Sequence, residues 1–387
     1  MANSCGGAIA NRERILRDLT DIIGICSPSL KEREMAEMLK CKLTEIGFTV
    51  YEDDAGDKVG GECGNIIASL SGDDGALPTI AMLAHMDTVN PCENKKWVMD
   101  GDIIRSGGDT ILGGDDGAGI AAALEIARRV REEGIAHGGI LIIFTISEET
   151  GLLGAKYLNH DTVKSASGKG SLPDYCLVFD SGTPVGTVVT RAPSHIDIKV
   201  EIKGVAAHAG IEPEKGVNAI TVASHAIAAM PLGRIDAETT ANIGVISGGL
   251  ARNIVCESVV IKGEARSHDA AKLDKQVEKM RLCFAEACER FNAKLNFTAT
   301  SKYESFSLSP DEPVIALLSE AAKARGYGLS LVSTGGGSDA NVLNSIGIPT
   351  ANLPVGMHNA HSTNEYADLG ELSATVELVV EMFKLLR

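Results

Sequence analysis

Basic residues are scarce in this chain of 387: 36 lysines and arginines stand against 52 aspartates and glutamates, a formal charge of -16. Nucleic acid and anionic membranes are bound through basic surface, so neither is expected as a partner. CxxC pairs are missing as well. The nine cysteines make an odd count without regular spacing, which fits free thiols in a reducing compartment. Cys26, Cys41, Cys176, Cys256, Cys283 and Cys288 fall in apolar or helical contexts, where a thiol behaves as a small hydrophobe. Met1 to Ala10 lacks a basic start followed by an apolar run, so no signal peptide is expected. The longest apolar stretch, Ile140 to Ile146, is too short to span a bilayer. A cytoplasmic protein is the expectation. No internal repeat or low-complexity tract interrupts the chain.

What is present suffices for a packed core, with 44% apolar residues and a length that suits two domains. Helical periodicity runs from Asn11 to Ile46, broken near Ser27-Pro28, and strand-like runs follow at Thr49–Tyr51, Asn65–Leu70 and Thr79–Ala84. A helix is predicted to begin near Asp116, then a buried strand over Gly139–Ile146, a helix after Gly151, and a strand YCLVF leading to Asp180. Apolar strands alternating with amphipathic helices predict an α/β layer fold. Ligands collect beyond the carboxyl ends of strands in such sheets, which is where His85, Glu148, Glu149 and Asp180 fall.

The pattern changes at Ser194. Ile196, Ile198, Val200 and Ile202 alternate with polar residues, which predicts a strand with one solvated face. A helix near Gly216–Met230, two strands, a helix over Asp269–Arg290 and a strand near Lys294–Thr300 complete a βαββαβ order. The expectation is a discontinuous catalytic domain, 1–191 and 302–387, interrupted by an inserted domain, 192–301, with a cleft and hinge as a consequence. Lys164–Pro173 is read as a mobile surface loop.

A set of acids and imidazoles stands at the predicted strand ends, each in its own motif. They are His85 and Asp87 in LAHMDTV, Asp115 in LGGDDGAG, Glu148-Glu149 in TISEETG, Asp180 in VFDSG and His361 in MHNAHS. Singly, each has an ordinary reading: a solvated turn, a helix N-cap, a pair of acids complementing a helix dipole, a loop histidine. Jointly, two histidines and three carboxylates supply what two zinc-like cations need and leave one carboxylate to move protons. His85 and Asp87, two apart, face the same side of a strand, so Asp87 can receive the second imidazole N–H. Asp116 can cap a helix while Asp115 bridges two cations, the flanking glycines permitting unusual backbone angles. Glu148 and Glu149 point in different directions, so one can ligate while the other acts on water. On spacing alone, His358 competes with His361. Such ligands also suit cobalt or manganese.

Together with GVAAHAG, GVNAI, GGGSDANVL and HNAHSTNEY, these motifs resemble, in family order and over nearly the whole chain, the M20 metallopeptidase family and its peptidase T-like branch of tripeptide aminopeptidases. The resemblance implies a zinc-peptidase-like α/β catalytic domain with an inserted ferredoxin-like lid and dimerisation domain. It implies two Zn2+ ions, one held by His85 and Asp180, the other by Glu149 and His361, with Asp115 bridging, Asp87 orienting His85 and Glu148 as general base. It implies a homodimer in which His208 reaches from the neighbouring subunit to the scissile carbonyl. Asn253, Arg266, Gly337 and Ser338 match substrate-binding positions, Arg266 suiting a peptide carboxylate. In this family Asp at the position of Asp180 accompanies aminopeptidases and dipeptidases, and Glu accompanies carboxypeptidases and deacylases. A short peptide with a free amino terminus is therefore the implied substrate. Gly117-Ala118 departs from the Lys-Gly or Lys-Ala of many relatives and removes a lysine contact.

Two other readings compete. A deacylase or carboxypeptidase acting on N-acyl amino acids or peptide C-termini would carry the same motifs, with Asp180 and Arg266 against it. A non-catalytic binding protein would have no use for Glu148 beside a complete ligand set. GGGSD lacks the GK[ST] ending of a phosphate-binding P-loop, and its acidic surroundings repel phosphate.

Overall fold

The computed structural model describes residues 11–386, so the Met1–Ala10 expectation lies outside the described residues. Contacts divide the chain into two compact units. One takes in residues up to Thr190, Ser307–Ser333 and Ser338 onwards; the other is Arg191–Phe306 with Thr334–Gly337.

In the first unit four parallel strands lie side by side at the centre of a nine-stranded sheet, in the order Gly139–Thr145, Ile80–His85, Tyr175–Ser181, Thr350–Pro354. Every residue of Gly139–Thr145 and Ile80–His85 is buried. That is the burial an unbroken apolar run demands, because a strand covered on both faces has no place for a polar alternation. Ile140, Ile142 and Phe144 are fully buried, each worth roughly 1.5–3 kcal/mol relative to exposure. The helix Gly114–Glu132 packs on Ile80–His85 and Tyr175–Ser181 and against the helices Arg12–Ile23 and Leu369–Lys384. It rests directly on the sheet: a Cβ at Gly119 would lie 2.3 Å from the Phe179 carbonyl oxygen, so only glycine fits there.

The second unit is the βαββαβ arrangement read from the sequence. Its strands Ser194–Lys203, Thr239–Gly248, Ser258–Ser267 and Lys294–Tyr303 form an antiparallel sheet, joined at one edge by the two residues Gly233–Arg234. Helices Ala219–Ala229 and Ala270–Phe291 cover one face, and Ile198, Val200 and Ile202 are buried with Val222, Ala226, Met280 and Phe284.

Three details differ from the sequence reading. Lys164–Ala166 is the last turn of a helix, His160–Ala166, whose N-cap Asn159 accepts from Asp161 and Thr162 N–H, so the expected loop begins only after it. Cys41 is exposed: it sits on the outer face of the helix Arg33–Ile46. A four-stranded sheet of Trp97–Asp100, Ile103–Ser106, Met357–His358 and Tyr366–Asp368 was not foreseen. Its strands are short and Trp97–Asp100 is wholly exposed, which leaves no hydrophobic period to detect. The Gly101-Asp102 turn between them, with Gly101 at φ 62°, was the available signal for a hairpin.

Candidate active site

The carboxyl ends of those parallel strands converge on one cluster. His85 closes Ile80–His85, Asp180 is the penultimate residue of Tyr175–Ser181, and Glu148-Glu149 follow Gly139–Thr145 after one turn. Ser147 in that turn is left-handed at φ 50° and is held by buried Glu32, which accepts its N–H at 3.0 Å and its hydroxyl at 2.9 Å. Asp115 sits where the backbone leaves the glycine turn, before the regular helix begins; Gly113, at φ 82°, makes the turn. Asp116 accepts the Gly119 N–H at 3.2 Å as an N-cap does, and its other oxygen takes the His85 N–H at 3.2 Å.

Asp115 is the centre of the geometry. Its Oδ1 is 3.1 Å from His85 Nε2, and its Oδ2 is 3.2 Å from His361 Nε2. His361 Nε2 also lies 2.8 Å from Glu149 Oε1. Ligand atoms of His85, Asp115 and Glu149 fall within 4.8 Å of one another. The competing histidine is engaged elsewhere: His358 meets Glu371 at 2.9 Å and stacks on Tyr366 at 4.6 Å. The His85 Nδ1 lies 2.8 Å from the Asp87 carbonyl oxygen and 3.4 Å from its carboxylate, so the nearer partner is the main chain. The Asp87 carboxylate accepts instead from Glu148 N–H (2.9 Å), Glu149 N–H (3.3 Å) and Ser29 Oγ (2.6 Å). It fixes the turn that carries both glutamates.

The electrostatics are those of crowded buried acids. Burial, with Asp180 and Asp339 nearby, pushes the Glu148 carboxyl well above its usual range. Burial and Asp115 do the same to Asp180. Burial works against the Asp115 carboxylate too, but hydrogen bonds from His361 and His85 outweigh it and hold Asp115 well below that range. Asp115 and Glu149 push the His361 imidazolium up to about 10. Buried acids this close oppose one another unless a cation sits between them. A carboxylate with one imidazole nitrogen on each oxygen has the chemistry of a ligand shared by two divalent ions. His85, Asp115 and Glu149, whose ligand atoms come together, fit a metal ion.

Three carboxylates supporting this arrangement were not singled out from the sequence: Glu32, Asp339 and Glu365. Glu365 is buried and accepts three backbone N–H groups of the Asp115 loop, from Leu112 at 2.7 Å, Gly113 at 2.9 Å and Asp115 at 2.8 Å. Asp339 takes the Thr145 hydroxyl at 2.6 Å, and burial raises it to about 6. The prior signal for Glu365 was its place within the HNAHSTNEY motif, four residues after His361. We expect Glu365→Gln, which turns an amide NH2 towards those N–H groups, to weaken ion binding by about 10–100-fold in calorimetric titration. Unaltered affinity would make Glu365 mere scaffold.

The remaining residues named from the resemblance divide between the units. Ser338 begins the helix Asp339–Ser345 in the first unit; its Oγ accepts from Asn352 at 3.2 Å, and Asn352 Nδ2 also reaches the Asp180 carbonyl at 2.7 Å. Within the second unit His208 and Asn253 are exposed on adjoining segments, the Ala209 N–H donating to the Asn253 carbonyl at 3.0 Å. Half-buried Arg266 donates to Glu264 from Nε and Nη2 at 3.2 and 3.0 Å. Arg266 Nη1 reaches the Tyr303 hydroxyl at 3.4 Å. A Cβ at Gly337 would overlap the Tyr303 ring at 2.2 Å, so glycine is required beside it.

Comparison with known proteins is consistent over the whole length. The family model for peptidase family M20/M25/M40 matches residues 81–385. The YqjE protein of Bacillus subtilis is 41% identical over 376 residues, covering 97% of this chain and 99% of its own. The crystal structure of the aminopeptidase PepT from Bacillus cereus superposes with a TM-score of 0.87 at 40% identity, over 98% of this chain and 99% of that one. A tripeptidase from Staphylococcus aureus gives a TM-score of 0.90 at 36% identity, with the same coverage of 98% and 99%.

Proposed function

The chain belongs to peptidase family M20/M25/M40, and from that premise we propose that it is a dinuclear metal aminopeptidase cutting short, tripeptide-like substrates from a free amino terminus. The observation that carries the reading is Asp115, with one carboxylate oxygen on His85 and the other on His361. In this reading His85 and Asp180 hold one ion, Glu149 and His361 the other, and Asp115 both. Zinc is the expected metal, with cobalt or manganese as substitutes. When bound, such ions supply a water of lowered pKa and polarise the peptide carbonyl.

The chain's own groups do the rest. Glu148 takes the proton from the attacking water and hands it to the leaving amine. Asp87 keeps Glu148 and Glu149 apart on their turn through the two backbone N–H groups it accepts. In this proposal Arg266 offers donors to a substrate carboxylate, and Asn253, Gly337 and Ser338 are further substrate-binding positions. Replacing Arg266 with Ala should raise KM for unmodified peptides and leave kcat near its starting value; an unchanged KM would remove Arg266 from substrate binding.

A homodimer is part of the proposal. Gly233–Arg234 pairs only with Thr240 and Ala241, so the outer edge of Thr239–Gly248 beyond them is open among the described residues. Val245, Ile246 and Leu250 are exposed along it, and an open apolar edge strand invites a second chain.

The deciding experiment offers zinc-loaded protein trialanine and its N-acetylated twin, with products weighed by mass spectrometry. Free alanine from trialanine alone is the expected result; preferential cleavage of the acetylated peptide would replace the aminopeptidase reading with a deacylase or carboxypeptidase one. Metal loading should itself depend on pH. An ion must displace the proton that Asp115 and Glu149 hold on His361 up to about 10, so affinity should climb as pH rises towards that value. Affinity that stays flat between about pH 6 and about pH 9 would remove His361 from the ligand set.

A further inference from the structure

Cys26 and Cys92 are 66 residues apart in sequence, yet their sulfurs lie 2.9 Å from each other. A disulfide bond is about 2.05 Å long, so closing one here asks for a movement of less than about 1 Å. Cys92 is completely buried, and Cys26 is partly exposed. A reagent from solvent can therefore reach the pair at one end only.

The segments bearing the two thiols are already fastened together beside the active site. The Ser27 hydroxyl donates to the Met86 carbonyl at 2.9 Å, the Thr88 N–H donates to the Ser27 carbonyl at 2.9 Å, and Ser29 Oγ donates to Asp87 at 2.6 Å. Alongside the sulfurs lies the Lys95 amine, its nitrogen buried and with no hydrogen-bond partner, and burial pushes its pKa down from the usual lysine value. In its charged form Lys95 favours a thiolate at Cys26. Burial and the neighbouring Cys92 act against it and push the Cys26 thiol up to about 11, with Glu93 adding a little in the same direction.

We propose that Cys26 and Cys92 are a modification site: a dithiol that closes reversibly to a disulfide by exchange with a small-molecule disulfide of the glutathione type. The Cys26 thiolate attacks one sulfur of oxidised glutathione, forming a mixed disulfide and expelling one glutathione thiolate. The Cys92 thiolate then attacks the Cys26 sulfur and expels the second. Two cysteine thiols are oxidised, the oxidant takes up the two electrons, and the two protons leave on two glutathione thiols. The new bond closes a long loop around the Ile80–His85 strand and secures the Ser27–Ser29 anchor of Asp87, so the closed form is the more stable one.

The test treats the full-length protein with oxidised glutathione at about pH 9, where more of a hindered thiol is ionised. Remaining thiols are then alkylated, and peptides are mapped by mass. The expected result is a Cys26–Cys92 linked peptide with a higher melting temperature, both reversed by dithiothreitol, and no rise in Cys26→Ser or Cys92→Ser. Glutathione retained on Cys26 without the link would overturn the proposal, as would a link that leaves the melting temperature unchanged. The wild-type map decides the question even if a serine variant folds poorly. Neither outcome depends on the proposed aminopeptidase activity.

Discussion

Glu148→Gln should reduce turnover by about 10²–10⁴-fold while the protein keeps its full complement of metal. The substitution preserves shape and removes only the ability to take a proton. None of the measured contacts among His85, Asp115, Glu149 and His361 involves the Glu148 carboxyl, so the ligand set should survive. Folding should survive as well, because burial already favours the uncharged form of Glu148 and glutamine is uncharged at every pH. The measurements are kcat on trialanine and metal content by elemental mass spectrometry. A variant that loses an ion would make Glu148 a ligand and leave the base unidentified. A variant with normal kcat would end the proposed mechanism.

His208→Ala is the second large effect, worth about 3–4 kcal/mol in the barrier if the side chain stabilises the developing oxyanion. The Gly210 N–H donates to His208 Nδ1 at 3.2 Å, which makes Nδ1 an acceptor and leaves the ring proton of the neutral imidazole on Nε2. An exposed ring with an outward Nε2–H can donate to a carbonyl oxygen. Whether it does so for its own subunit or its neighbour is decided by mixing. His208→Ala and Glu148→Gln chains, each inactive alone, should regain activity when unfolded and refolded together. A mixed dimer would contain one site with both groups intact. No recovery, with mixed dimers demonstrated, would place His208 in its own subunit's site; undiminished kcat in His208→Ala would remove it from the chemistry.

The fold was legible because its signals were local. An unbroken apolar run such as Gly139–Ile146 is the pattern of a strand covered on both faces, and the strict alternation from Ile196 to Ile202 is the pattern of a strand covered on one. The acids at the strand ends were visible for the same reason, since the carboxyl end of a parallel strand is a place defined by the strand itself. What could not be read depends on distance. Glu365 finds the Asp115 loop across 250 residues, and the motif that holds it, HNAHSTNEY, gives no sign of that partner. The choice between His358 and His361 rested on which of them meets Glu371 and which meets Asp115, a matter of register in a short hairpin. The Trp97–Ser106 hairpin is small and exposed, and its only mark was a two-letter turn.

That same long reach governs when the protein can first become competent. A ribosome releases His85, Asp115, Glu149 and Asp180 in the first half of the chain, but His361 and Glu365 arrive near the end. Until they arrive the Asp115 loop lacks the carboxylate that collects its N–H groups, and Asp115 and Glu149 lack the His361 imidazole. A nascent chain therefore lacks the complete cluster of His85, Asp115, Glu149 and His361. Contacts this remote in sequence also form late and slowly, because the chain must close a large loop first. On the proposed mechanism, cleavage begins only once synthesis has passed His361 and Glu365.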